Sequence, residues 1–423
     1  MKRLIAAVIL SAAIFALFSC SHFYPAAVTE KVYIPSIFIS IGDNMLATDS
    51  YISATVTVSS DDPTFVSFSD REAQVRIRGN STSAGEKKPL NIKFSVSTEL
   101  FGLGKSKKWC LLANMYDKSL MRNKLALDFA SSLGLAYTSA SEYADVYING
   151  EYAGNYLVCL PLDIGKDKVN IDPDMNEFLL EFEPWENYNN PIYVKTDLFG
   201  LVFGLDDTDE ATDGQLSYLT AFLNEFENAL INGSYDDFSK YIDVGSFVDY
   251  YIVNELFKNV DFAVSSVHFY LKGGRLYAGP VWDFDLSAGN CSVEYYQIYN
   301  NATTSMDSTE GIWCYKFWYI YLLNDPVFST LVVDRLAEIQ PMIVNLTDDN
   351  SLGTNRIDRL KTLYKKSFDK NFDRWDVSHI DSIVEWQEPF STFDESVSFL
   401  RDWLRARNRF LCAHFCIDTG DAR

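Results

Sequence analysis

Three aspartates that flank a predicted β-hairpin have the residue type and spacing to do chemistry. Asp261 follows a predicted helix, and Asp283 and Asp285 follow the second strand of the hairpin. The pair Gly273-Gly274 joins the two strands, because glycine tolerates the positive φ that a tight hairpin turn requires. The hairpin folds the chain back on itself, so the three carboxyl groups are expected at the same end of it.

Such carboxylates suit phosphoryl transfer from ATP. One of them orients or deprotonates the acceptor hydroxyl, and another holds the Mg²⁺ or Mn²⁺ that neutralises the phosphates. A loop aspartate, a hairpin and an aspartate followed by an aromatic residue is the order found in protein kinases. This order predicts Asp261 as the catalytic residue and Asp283 as a metal ligand, with Asp285 as a second ligand or as its support. Ser266 stands where kinases place a metal-binding asparagine, and its hydroxyl is a weaker metal ligand.

A polar loop between two predicted strands could cover the phosphates. The loop spans residues 79–85, and Lys93 lies on the strand after it, on the face opposite the apolar residues of that strand. Kinases cover the phosphates with a loop of backbone N–H groups and grip them with a strand lysine. Asn80 and Ser81 are the loop residues predicted to contact the nucleotide. Two lysines nearer the loop are alternatives for the phosphate contact: Lys87 and Lys88.

The elements that must position these residues follow from hydrophobic periodicity and turn signals. Strand-like alternation fills residues 32–96, and Asn149-Gly150 marks the turn of a second hairpin. Another strand is predicted over 177–182 and leads into a polar connection after Pro184. The remaining predicted elements are helices at 119–133, 215–232 and 246–259, the catalytic hairpin strands at 267–272 and 275–278, and an almost wholly helical region after 310 that ends with a helix at 393–415.

The N-terminus is typical of a signal peptide. Lys2 and Arg3 precede an apolar run at 4–18, which is too short to span a bilayer comfortably. Ser19 before Cys20 indicates a lipoprotein signal, in which the cysteine is acylated. We therefore predict a leader at 1–19, a tether at 20–31 and an exported protein anchored in the cell envelope by lipid. Cleavage by an ordinary signal peptidase near Ala26 is the alternative.

Composition limits the classes of partner. The chain has 423 residues, a formal net charge of −22 and a hydrophobic content of 48%. This hydrophobic content is ample for a folded core. The acidic balance disfavours nucleic acid and anionic lipid surfaces as partners, and it favours a basic partner.

The other polar clusters of the sequence predict no additional metal site. The acidic stretch at 206–213 lacks the spacing of an EF-hand, so we predict a solvated loop there. Six cysteines besides Cys20 fit no zinc pattern, and most of them lie in apolar runs. We therefore expect at most one disulfide.

The sequence resembles the CotH kinase family, the spore-coat-protein-H-like atypical protein kinases, over residues 32–409. The resemblance implies an α+β fold of two protein-kinase-like lobes, the N-terminal lobe (32–183) rich in antiparallel sheet and the C-terminal lobe (184–423) mainly helical and containing the catalytic hairpin. The matching blocks, in order, are RIRGNST with KKPLNIKF, KKWCLLANMYDKSLMRNKLA, VYINGEYAGNYLV, FLLEFE, NELFKNVDF with HFYLKGGRLYAGPVWDFDLSAGN, FWYIYLLNDPVF and a closing helix with Trp403 and Arg407.

The resemblance also implies roles for individual residues. It makes Asp261 the catalytic-loop aspartate, Asp283 the metal ligand with Asp285 in support, and Lys93 the phosphate lysine. Two further residues are implied at the nucleotide: Trp282, which would help to form its pocket or would anchor the core, and Glu181, near the hinge where backbone groups meet adenine.

One part of the chain departs from the ordinary kinase scheme. The predicted helix after Asp117 corresponds to the kinase αC helix, but its body contains no glutamate to pair with Lys93. Either Asp117 substitutes for that glutamate or the pairing is absent. Arg122 contacts phosphate or Asp117 in this scheme, or it forms an ion pair at the surface or between the lobes.

Two classes of function are consistent with these patterns. The first is an exported kinase that uses ATP to phosphorylate Ser or Thr of an envelope or surface protein, with a basic, Ser- and Lys-rich substrate favoured by electrostatic steering. The second is an inactive kinase-like lipoprotein that acts as an adhesin or assembly scaffold, which Ser266 and the missing αC glutamate favour. Transfer of AMP is a further alternative, and a glycosidase is disfavoured because Asp283 and Asp285 would point the same way. We expect a monomer that contacts the membrane only through its lipid and binds no nucleic acid.

Overall fold

The fold is mixed α+β, with a sheet-rich N-terminal part and helices in the C-terminal part. Our structure is a computed structural model, and it describes residues 34–208, 210–259, 262, 265–290, 318–376 and 390–417. The predicted leader and tether, with Cys20, lie outside these ranges. Within the described ranges, no helix combines the length and the apolar character that crossing a membrane requires.

Seven strands of the N-terminal part close into a barrel in the order β1-β2-β3-β4-β5-β7-β6. All neighbouring pairs are antiparallel except β1 and β6, whose parallel pairing closes the barrel. Alternate residues fill the interior, because successive side chains of a strand point to opposite faces; Ile92 and Trp109 are fully buried there. The strands are β1 Ser36–Ser40, β2 Ile52–Ser59, β3 Phe68–Ile77, β4 Leu90–Glu99, β5 Lys105–Leu112, β6 Ser141–Ile148 and β7 Glu151–Cys159.

The hairpin of β6 and β7 confirms the turn that the sequence predicts. Asn149 and Gly150 have φ angles of 49° and 85°, the positive values that a two-residue turn between twisted strands requires. The side chain of Asn149 also donates to the carbonyl of Gly42 and accepts from the N–H of Ile41. The turn is thereby tied to the end of β1.

A second sheet of five strands follows the barrel, in the order β12-β11-β8-β10-β9. The hairpin predicted at 267–278 forms, and β8 pairs with its first strand β11. The sequence grouped β8 with the N-terminal lobe and did not predict β9 and β10. The strands are β8 Phe178–Glu183, β9 Tyr193–Lys195, β10 Val202–Leu205, β11 Val267–Lys272 and β12 Arg275–Ala278.

The helices of the described residues lie mostly in the C-terminal part, as predicted. Their bounds are α1 Arg122–Leu133, α2 Asp213–Asn232, α3 Tyr235–Phe238, α4 Val244–Phe257, α5 Tyr319–Asn324, α6 Pro326–Glu338, α7 Gln340–Val344, α8 Arg356–Arg374 and α9 Phe393–His414. Helix α1 begins three residues later than predicted, because Leu120 has a φ of 59° and Asp117 accepts the N–H of Ser119 in a turn. Helix α4 ends at Phe257, since Lys258 adopts a left-handed conformation.

Candidate active site

A cleft of about 680 Å³ is lined by residues of both sheets. Strands β3 to β5 contribute side chains that point out of the barrel, and β8 and β11 contribute side chains of the second sheet. The loop at 79–82 and the segment after β12 complete the lining. The sequence-predicted residues on its wall are Asn80, Ser81, Glu181, Ser266, Trp282, Asp283 and Asp285.

Asp283 and Asp285 come together on the cleft wall, just after the hairpin of β11 and β12. Phe284 between them is buried, and its N–H donates to Oδ1 of Asn123 at 2.7 Å. Asp283 has a φ of 61°. A left-handed backbone costs energy in a residue other than glycine, so the surrounding structure must stabilise it, and such residues cluster at functional sites. Asn123 on α1 therefore fixes the backbone that presents both carboxylates.

Arg122 holds residues that follow shortly after Asp285 in the chain. Its guanidinium pairs with Asp117 at 2.6 Å, and both side chains are fully buried. It also donates to the carbonyls of Ser287 and Ala288, at 2.9 and 3.3 Å. Of the alternatives raised by the sequence, the structure shows the contact with Asp117, and Arg122 lies outside the cleft lining.

Arg78 lies on the cleft wall, and its charge interacts with both carboxylates. Burial alone would lower the pKa of Arg78, but Cys110, Cys159 and the two aspartates more than offset this, so the pKa is raised. Its guanidinium lies 5.5 Å from the ring centre of Trp282. Burial raises the pKa of Asp283 even though Arg78 opposes the shift.

Ser266 links the aspartates to the second sheet. Its N–H donates to Oε1 of Glu181 at 3.0 Å, and its hydroxyl lies 3.5 Å from Oδ2 of Asp283. Ser266 also has a left-handed φ, of 60°. The serine that replaces the kinase asparagine is thus in reach of the same carboxylate.

Glu181, Asp206 and His268 form a second polar cluster on the cleft wall. One potential ligand atom from each of them lies within 4.8 Å of the others. Burial raises the pKa of Glu181, and the carboxylate of Asp206 adds to the rise. Burial alone would lower the pKa of His268, but Asp206 and Glu181 more than offset this and the pKa is raised.

The lysines are placed differently from the predicted scheme. Lys93 is exposed, lies 5.9 Å from the ring centre of Tyr51 and does not line the cleft. Lys87 is buried and donates to the carbonyls of Ala113 and Asn155. Lys88 donates to the carbonyls of Ser83 and Ala84, within the loop. These three lysines therefore do not face the two aspartates, and Arg78 does.

Sequence reasoning did not assign Arg78, His268 or Asp206 to the cleft. Arg78 and Arg76 alternate with the buried Val75 and Ile77, so their outward direction was readable, but the search for a kinase lysine passed over Arg78. His268 and Asp206 were missed for another reason. They meet Glu181 only because β8 pairs with both β11 and β10, and that pairing has no local signal.

Asp261 lies outside the described residues. Phe262 beside it is fully buried and packs against Tyr250, with ring centres 6.1 Å apart. Asp209 of the acidic stretch also lies outside them. Four cysteines of the described part, Cys110, Cys159, Cys412 and Cys416, are free thiols.

The oxygen atoms near the aspartates suit a hard divalent cation. Asp283 and Asp285 supply carboxylates and Ser266 supplies a hydroxyl, which are the ligand types that Mg²⁺ prefers. The residues present therefore fit such an ion.

Comparison with known proteins agrees with this arrangement. The family model for CotH kinase protein matches residues 75–411, a span that includes the loop, the hairpin and both aspartates. A search of curated proteins finds no match to the chain. Since the matched span covers most of the sequence, the chain belongs to the CotH kinase protein family.

Proposed function

We propose that this CotH kinase family member is an active protein kinase that transfers phosphate from ATP to Ser or Thr of another protein. The observation that supports the proposal most strongly is the convergence of Asp283, Asp285 and Arg78 on one cleft beside a loop of backbone N–H groups. Phosphoryl transfer depends mainly on positioning and charge stabilisation. The cleft offers donors and acceptors for both.

The chain's own residues divide the work of holding the nucleotide. Arg78 and the loop at 79–82 bind phosphate oxygens, because a guanidinium matches phosphate geometry through two parallel hydrogen bonds. Trp282 presents an aromatic surface to the base. Asp283, Asp285 and Ser266 hold the divalent cation, which when bound offsets the charge of the phosphates. Here Arg78 takes the part that the sequence assigned to Lys93.

Asp261 is proposed to orient the acceptor hydroxyl and to accept its proton. It follows α4 and precedes β11, so it starts the same hairpin that ends in Asp283. As the hydroxyl oxygen attacks the γ-phosphorus, its proton passes to Asp261 and ADP leaves from the opposite side of the phosphorus, which is the in-line arrangement of phosphoryl transfer.

The barrel and the helical part are proposed to act as the two lobes of a kinase-like fold. The loop over the phosphates belongs to the barrel, and the hairpin with its aspartates belongs to the second sheet. Helix α1 takes the place of the αC helix, and it acts through Arg122 and Asn123 on the segment after β12 rather than through a glutamate. This arrangement explains why α1 needs no glutamate in its body.

The proposed setting is the cell envelope, with the protein exported and anchored through lipid on Cys20. The net charge of −22 supports a basic, Ser- and Lys-rich protein as the substrate. The protein is proposed to act as a monomer, and no nucleic acid is part of the scheme.

The purified chain, incubated with γ-³²P-ATP, Mg²⁺ or Mn²⁺ and a Ser- and Lys-rich peptide, tests the proposal. We expect label on the peptide, and a loss of at least about 100-fold in Asp283→Asn, because the variant removes a charge that the transition state requires. Asp334→Asn, on the exposed face of α6, is the matched control and should keep full activity.

Three outcomes would contradict the proposal. Label transfer that survives Asp283→Asn would refute the site. Transfer of label only from α-³²P-ATP would indicate transfer of AMP. A wild-type chain that binds ATP but labels nothing would favour the inactive scaffold.

A further inference from the structure

A triad of Glu181, Asp206 and His268 lies in the cleft beside the aspartates but plays no part in the proposed phosphoryl transfer. Glu181 is directly opposite His268 on β11 and directly opposite Gly204 on β10. Asp206 directly follows Leu205, the last residue of β10, and its carboxylate lies within reach of the other two side chains. Three neighbouring strands thus deliver two carboxylates and one imidazole to one point.

We propose that Glu181, Asp206 and His268 bind a divalent transition-metal ion, at a site distinct from that of Asp283 and Asp285. One imidazole and two carboxylates form a mixed donor set that suits Mn²⁺ or Zn²⁺ better than Mg²⁺ or Ca²⁺, which take oxygen ligands. The proposal does not depend on phosphoryl transfer, because an inactive scaffold could hold the same ion.

The distances fit ligands around a shared ion better than a direct ion pair. Nε2 of His268 lies 3.5 Å from Oδ2 of Asp206, which is beyond the usual range of a strong hydrogen bond. Two ligands each about 2.1 Å from a tetrahedral ion are about 3.4 Å apart. The three ligand atoms lie within 4.8 Å of one another, so a small movement of the side chains would bring all three within bonding distance of one ion.

A bound cation would offset negative charge that is buried in this cluster. Glu181 and His268 are only 8% and 4% exposed. Two carboxylates that face a single imidazole leave net negative charge in a poorly solvated place, which is costly without a partner. Nδ1 of His268 is moreover buried without a hydrogen-bond partner.

Glu181 has the outer hydrogen bonds that are typical of a metal ligand. Its Oε1 accepts from the N–H of Ser266 at 3.0 Å and from the side-chain amide of Asn189 at 3.2 Å. The side-chain amide of Asn190 lies 3.4 Å from Oε2. Outer contacts of this kind orient ligands and raise metal affinity.

Gly204 permits the approach of the loop that supplies these amides. A Cβ on Gly204 would come within 2.7 Å of Asn190 and 2.5 Å of Oε1 of Glu183. Any larger residue would push the loop away from Glu181. The glycine therefore supports the outer shell of the proposed ion.

Electron paramagnetic resonance of the intact chain with Mn²⁺ alone, without nucleotide, tests the proposal. We expect bound Mn²⁺ with a nitrogen coupling from one histidine. His268→Gln should abolish that coupling, and His414→Gln, at an exposed histidine on α9, should leave it unchanged. Asp206→Asn should weaken this binding by roughly tenfold to a hundredfold or more, since loss of an outer contact alone costs that much.

The same experiment separates this proposal from the proposed function. Asp283→Asn should keep the histidine-coupled Mn²⁺ even if it loses phosphoryl transfer. Absence of a nitrogen coupling in the wild type would overturn the metal site, as would a coupling that persists in folded His268→Gln, or Mn²⁺ binding that is unchanged in Asp206→Asn. Asp206 is only half-buried, so its variant should fold even if His268→Gln does not.

Discussion

Replacement of Arg122 by methionine should destabilise the protein strongly. The side chains of Arg122 and Asp117 are fully buried and 2.6 Å apart. Removing one partner of such a pair typically costs about 3–5 kcal/mol, because it leaves the other charge buried and uncompensated. That is a large share of the roughly 5–15 kcal/mol by which a protein is usually stable.

The same variant should also impair nucleotide binding, because it frees the carbonyls of Ser287 and Ala288 near Asp285. Urea unfolding gives the change in stability, and the shift in melting temperature on adding ATP and Mn²⁺ gives the change in binding. Arg335→Met is the control, since its pair with Asp249 is partly exposed and should be worth about 1 kcal/mol.

The double variant Asp117→Asn, Arg122→Met tests the reasoning through the direction in which its stability differs from that of Arg122→Met. It removes the stranded charge, so it should be more stable than Arg122→Met alone. Two results would refute the account. One is a loss below about 1 kcal/mol in the single variant, and the other is a double variant that is less stable than the single one.

Two further predictions concern the other cations near the loop. Arg78→Ala should abolish most of the stabilisation by ATP and Mn²⁺ in a thermal shift assay, whereas Lys93→Ala should leave it intact; the opposite pattern would restore the lysine to the phosphate role. Burial lowers the pKa of Lys87 to about 7, against the weaker effect of Asp145. The unfolded chain therefore binds more protons than the folded chain between pH 7 and about 10.5, and stability from this group rises with pH in that window. From pH 7 to 9 the free energy of unfolding should rise by about 2 kcal/mol relative to Lys87→Met, and a constant difference in urea unfolding would contradict it.

Local signals account for the parts of the fold that the sequence predicts well. The turn pairs Asn149-Gly150 and Gly273-Gly274 identify both hairpins because the residues that favour the turn also set its backbone. The closure of the barrel has no such signal. It depends on a parallel pairing of β1 with β6, which are about a hundred residues apart.

The candidate site shows the same difference between what local sequence signals give and what they do not. Asp283 and Ser266, named from the hairpin pattern, and Glu181, named from the family resemblance, all lie on the cleft wall because one hairpin and its neighbouring strand position them. Lys93 lies outside the cleft lining for a geometric reason. Asn91 and Lys93 point to the same side of β4, but the cleft reaches only as far as Asn91. Alternation gives the side of a strand, and it does not give how far along the strand a cleft extends.

The most direct test of the account is a crystal structure with Mn²⁺ and a non-hydrolysable ATP analogue. The account predicts an anomalous peak for Mn²⁺ between Asp283 and Asp285, with the phosphates against Arg78 and the loop at 79–82. A nucleotide bound elsewhere, or a bound nucleotide whose metal avoids both aspartates, would contradict it.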